Sequence, residues 1–117
     1  MFINVVNDFT DTPGARYKTQ GSFSGEEFRD NILYPKFINS LKEKKVLTVN
    51  LDGGYGYGSS FLEEAFGGLV RRLKKEKNNN YKKVLDIVII SNDNKIWNEK
   101  IRLYIESAIN APIKGGK

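Results

Sequence analysis

Residues 46–73, VLTVNLDGGYGYGSSFLEEAFGGLVRRL, decide the fold. Val46, Leu47, Val49 and Leu51 make a nearly continuous apolar run, the pattern of a strand covered on both faces. Glycines at 53, 54, 56 and 58 interrupt it. Beyond them Phe61, Leu62, Ala65, Phe66, Leu69, Val70 and Leu73 recur at helical spacing and predict a helix with one broad buried face. A strand that ends in a glycine loop and feeds straight into a helix gathers free N–H groups, the positive end of the helix dipole and the hydroxyls of Ser59 and Ser60 at one surface point. The functional centre is expected there. Gly67 and Gly68 each cost a helix about 1 kcal/mol relative to alanine, so their presence predicts a close approach of this helix to the sheet.

Working outward, Phe2 to Val6 reads as a first strand, and Thr12-Pro13-Gly14 as a turn leading into an edge-like second strand over 15–19. Ser24-Gly-Glu-Glu27 fits a capping box, with the serine accepting from the amide three residues on and the glutamate returning to the serine amide. The helix it opens carries the stripe Phe28, Ile32, Phe37, Ile38 and Leu41, and Pro35 should kink or split it near Tyr34. Asn78 to Asn80 form a polar loop, Val84 to Ile90 the strongest strand run, and Ile96 to Ile109 a last amphipathic helix preceded by a turn and cap at Asn92 to Asn94. Strands alternating with helices predict an α/β fold, a single small mixed sheet with helices packed on it and right-handed crossovers between parallel strands. One domain is expected over 1–111 and a flexible tail over 112–117, with no internal repeat or interior linker.

Composition removes whole classes of chemistry. The 117 residues include neither cysteine nor histidine, so a disulfide framework, a thiolate nucleophile, a Cys or His metal site and the commonest general base are excluded. The net charge of +5 lies largely in runs that close predicted helices, Lys42, Lys44 and Lys45 in one and Arg71 to Lys77 in the other, where cations complement the dipole. Nucleic-acid binders interleave such runs with exposed aromatics, and only Tyr55, Tyr57 and Tyr81 are expected outside the core. No apolar run approaches the roughly 20 residues of a membrane span, and no leader pattern opens the chain. The expectation is a soluble, cytoplasmic protein.

The glycine turn lacks the signatures of a nucleotide site. A Walker loop needs a lysine before its Ser/Thr, absent from 53–60, and the loop reads G-x-G-x-G where a dinucleotide fingerprint needs G-x-G-x-x-G. Gly56-Tyr-Gly58-Ser59-Ser60 looks like a nucleophile elbow without a base to serve it. Glu63 and Glu64, about 100° apart on an ideal helix, are expected to serve the dipole rather than share one substrate. No catalytic residue, cofactor or metal is therefore expected.

Leu51-Asp52, followed by Ser59-Ser60-Phe61-Leu62-Glu63-Glu64-Ala65-Phe66-Gly67, resembles the STAS-like domains catalogued as a domain of unknown function, in which a strand ending near Asp precedes a Ser-Phe-x-x-Glu-x-Phe-Gly helix start. These are similar to the anti-sigma-factor antagonists, which present a serine in such a turn for phosphorylation by a kinase with an ATP-binding fold. The resemblance implies a non-enzymatic regulatory domain that docks a protein partner, a kinase-like regulator, through 52–64. Asp52, Tyr55, Tyr57, Ser59, Ser60 and Glu63 would meet the partner, with Phe61 in the core and Ser59 or Ser60 as the phosphosite. Ser59 falls where the antagonists carry their phosphoserine, yet they have Asp before the first serine and Gly after the second, where this chain has Gly58 and Phe61. The alternative is a small-ligand or nucleotide sensor using the same turn as an anion site.

Overall fold

Three of the apolar runs become short strands in the computed structural model, which describes residues 1–112; the expected tail therefore lies outside the described residues except for Pro112. Strands β1 (Phe2–Asn4), β2 (Thr48–Asn50) and β3 (Val88–Ile90) lie side by side in that order, all parallel. Phe2 aligns with Thr48 and Val88, and Ile3 with Val49 and Ile89. Side chains alternate across a strand, so Ile3 and Val49 enter the core while Phe2 and Val88 stand on the opposite face, 50 and 46 % exposed. The sheet is covered on one face only. The both-faces expectation for β2 thus fails, and Val46 is exposed. Crossovers of one hand that step the same way across a sheet lay their helices on the same side.

Each departure from the expected strands has a local cause. β1 stops at Asn4 because the Asn4 carboxamide accepts from the Asn7 amide at 3.2 Å and the Asp8 carboxylate from the Asn4 amide at 2.8 Å. That reciprocal pair closes a one-turn helix, α1 (Val5–Asp8). Residues 15–19 make no strand: the carbonyls of Ala15 and Arg16 accept from the amides of Gly25 and Glu26, and Lys18–Gln20 form a 3-10 turn. The described sheet is therefore wholly parallel rather than mixed. A 3-10 stretch over Asn79–Asp86 takes the first part of the run expected to be β3.

The capping serine behaves as its spacing predicts, accepting from the Glu27 amide at 3.0 Å, but the glutamate returns to the amide of Phe23 rather than Ser24. Helix α2 (Gly25–Phe28) continues through a π-helical turn, Arg29–Leu33, into α3 (Tyr34–Glu43). Pro35 offers no N–H to the carbonyl four residues back, and the widened turn just before it absorbs the mismatch without breaking the helix. The second long helix has the same construction: α4 (Ser59–Leu62), a π turn over Glu63–Gly67, then α5 (Gly68–Lys75). Helix α6 (Ile96–Asn110) packs on that π turn and on α5. Phe28, Phe37, Phe61 and Phe66 fill the space between helices and sheet. Among the described residues no helix is long and apolar enough to cross a membrane.

Candidate functional site

The loops that follow the three strands meet at the carboxyl edge of the sheet, the edge where open parallel sheets place their sites. Asp52 and Asp93 lock two of them together. The Asp52 carboxylate accepts from the Asp93 amide at 2.9 Å, and the Asp93 carboxylate accepts from the Gly53 amide at 2.8 Å. The Tyr55 amide donates to the Asp11 carbonyl at 3.0 Å, tying in the loop after β1. Gly53 and Gly56 have φ of 98° and 111°, a backbone conformation open to glycine at little cost. With the Asp52 amide on Asn50, three N–H groups of the turn are already engaged, and carboxylates hold two of the three surrounding loops.

The expected site residues divide sharply. Tyr55 is 85 % exposed. Tyr57, expected beside it, instead turns inward: its hydroxyl donates to the Leu51 carbonyl at 3.0 Å, and its ring lies 4.9 Å from Trp97 and 5.8 Å from Phe61. Burial, and then the charges of Asp52 and Asp93, push the Tyr57 phenol well above its ordinary range. Tyr81 is also partly covered, with the Lys74 ammonium 5.3 Å from its ring, so of the three tyrosines expected outside only Tyr55 is fully exposed. Ser59 and Ser60 are exposed on the first turn of α4, whose cap is Gly58, without a capping side chain. Phe61 is buried as expected and stacks 5.9 Å from Phe28.

Glu63 and Glu64 depart furthest from expectation. Both face the same guanidinium groups. Arg16 reaches Glu63 at 2.5 Å and Glu64 at 3.2 Å, Arg71 reaches Glu63 at 2.6 Å and Glu64 at 3.4 Å, and Arg29 pairs with the far oxygen of Glu64. The π turn in which the two acids sit is wider than an α turn, which reduces the angle between successive side chains. Burial would raise the Glu63 carboxyl, but hydrogen bonds from Arg71 and Arg16 outweigh it and hold the group below the usual range. Asp30, beside Arg29 and Lys18, is held low in the same way.

The glycine pair abuts this network rather than the sheet. A Cβ on Gly67 would stand 2.4 Å from Glu63 Oε2, and one on Gly68 2.7 Å from an Arg29 nitrogen. Two π turns thus face each other across a cluster of ion pairs that connects the start of the chain, the first long helix and the second. Arg16 and Arg29 were not legible as members. The spacing of Glu64 and Arg71, seven residues apart on one face below two glycines, was the available signal.

A family model described as a STAS-like domain of unknown function (DUF4325) matches residues 24–95, from the Ser24 cap through β3 to the loop before α6. No curated protein and no solved structure matches the chain.

Proposed function

The chain belongs to the STAS-like domain family, and from that premise we propose that it is a non-enzymatic regulatory domain docking a partner protein through the turn and helix start at 52–64. The observation that carries this reading is Tyr55. It stands almost fully exposed on a loop whose backbone is held at the Tyr55 amide by Asp11 and, two residues earlier, by the Asp52–Asp93 lock. An exposed aromatic residue on a restrained backbone loses little backbone entropy on binding, and tyrosine is among the residues enriched at the anchors of protein interfaces. Ser59 and Ser60 are exposed beyond it on the first turn of α4.

In this reading Tyr55, Ser59 and Ser60 touch the partner, while Asp52 and Tyr57 hold the turn in shape and Glu63 anchors the helix start. A kinase-like regulator with an ATP-binding fold, acting in the cytoplasm, is the partner class that the similarity to anti-sigma-factor antagonists brings with it. Phosphorylation at Ser59 would add nearly two negative charges to an edge that already carries carboxylates; an uncharged hydroxyl suits a closely docked neighbour, and a dianion that must be desolvated there weakens docking. The same carboxylates, with three turn amides engaged, disfavour the alternative of an anion sensor at this turn.

Co-purification from native cells tests the proposal, comparing the unaltered chain with Tyr55→Ala, Ser59→Asp and Ser60→Asp. A partner recovered with the unaltered chain and lost with Tyr55→Ala and at least one acidic variant supports it. Equal recovery by all four chains would sink both the docking surface and the switch, and saturable nucleotide binding abolished by a change in the turn would favour the sensor.

A further inference from the structure

A cleft of about 730 Å³ opens between α5 and the C-terminal end of α6, beside the ion-pair cluster. One wall carries Arg29, Arg71, Arg72, Lys74 and Lys75 against only Glu63 and Glu64. The other is small and uncharged: Ser107, Ala108, Ala111 and Pro112, with Gly68 between them. The two acids are already matched, Glu64 by Arg16, Arg29 and Arg71 and Glu63 by Arg16 and Arg71. Lys74 is engaged elsewhere, its ammonium donating to the carbonyls of Ala108, Ile109 and Ala111 at 2.7 to 2.8 Å and so neutralising the negative end of α6.

Arg29 pairs with Asp30 as well as Glu64, and Arg72 pairs with Asp30 and Glu76, which leaves Arg71 and Lys75 as the cations available to a ligand. Arg71 is oriented by Glu63 through both terminal nitrogens, yet 45 % of its side chain is exposed, and a guanidinium has five N–H donors. Lys75 is exposed and takes part in no ion pair among the described residues. A guanidinium held in place by a carboxylate, with an exposed ammonium one helical turn further on, is a standard arrangement for capturing a phosphate or carboxylate. The volume lies within the range of small-molecule pockets and is far larger than a bare ion needs.

We propose that this cleft binds a small organic anion, its phosphate or carboxylate group held by Arg71 and Lys75 and its uncharged body lying along Gly68, Ala108 and Ala111. The site is independent of the docking reading, so the two succeed or fail separately.

Isothermal titration of the full chain with ATP, citrate and inorganic pyrophosphate tests it, at about 50 and about 300 mM salt. ATP separates a phosphate head from the carboxylate head of citrate, and pyrophosphate has no body to seat. The expected result is saturable binding of ATP or citrate, weakened at least tenfold by Lys75→Glu and by Ala111→Glu, both at exposed positions that leave the core intact, and unchanged by Tyr55→Ala. No saturable binding of any probe up to about 5 mM would overturn the proposal. So would binding of pyrophosphate alone, or binding that neither Lys75→Glu nor Ala111→Glu weakens.

Discussion

Gly25 and Phe61 meet backbone against backbone: a Cβ on Gly25 would stand 2.5 Å from the Phe61 carbonyl oxygen and 3.1 Å from its Cα. The contact fixes the start of the first long helix against the first turn of the helix that displays Ser59 and Ser60. Neither side is a flexible side-chain tip that could swing away.

Gly25→Ala is therefore expected to destabilise the fold by about 2 kcal/mol, the cost of overpacking exceeding the gain in helix propensity. Gly58→Ser, where nothing lies within 4 Å of the added Cβ, should leave stability unchanged or raise it by a few tenths of a kcal/mol through capping. Denaturant midpoints of the two variants separate these outcomes, and equal midpoints would contradict the close approach.

Glu64→Gln should cost about 3 kcal/mol, because Glu64 is only 7 % exposed and Arg29 would lose its buried partner. Glu43→Gln removes one side of an exposed pair with Lys45 at 3.6 Å and should change stability by less than about 0.5 kcal/mol. Chemical unfolding of both variants is the measurement.

Acid should weaken the fold through Glu63 and Asp30, whose carboxyls are held below their ordinary values by arginine and lysine donors that outweigh burial. A depressed folded value contributes stability that is complete above the unfolded carboxyl value, about 4, and is lost as pH falls through the folded one. Melting temperature should hold steady from pH 7 to about 5 and fall below that. In Glu63→Gln the fall should be shallower.

Tyr57→Phe removes the bond to the Leu51 carbonyl and should cost about 1 kcal/mol near neutral pH. The Tyr57 phenol is raised by burial, so its contribution is complete below about pH 10, the unfolded value, and declines as pH rises beyond it. The alkaline decline should accordingly be smaller in Tyr57→Phe, as read from unfolding curves at pH 8 and about 11.

Tyr55→Ala should alter stability by less than about 0.5 kcal/mol, since the side chain is almost wholly in solvent. A normal unfolding curve for this variant makes any loss of partner a loss of contact.

Periodicity made α5, α6 and the Ser24 cap legible, because each rests on contacts within one helix or one turn. Strand ends were not, since β1 ends where an Asn4–Asp8 exchange of hydrogen bonds competes with pairing, a choice invisible to hydropathy. Phe61 was placed correctly by helical spacing alone. Tyr57 turns inward where the sequence pointed outward, because a glycine-rich loop leaves both directions open to a tyrosine and the contacts that decide, the Leu51 carbonyl, Phe61 and Trp97 on α6, come from the tertiary fold. The shared face of Glu63 and Glu64 is not legible in the sequence for a similar reason: it depends on a π turn and on Arg16 and Arg29, distant in the chain.

Trp97 is the sole tryptophan of the chain, and it sits edge-on to Tyr57, the residue that pins the glycine turn to the end of β2. The turn therefore carries its own optical reporter. Any event that lifts Tyr57 away changes the surroundings of one indole, so its emission maximum and its quenching by iodide follow the state of the turn in the unlabelled protein.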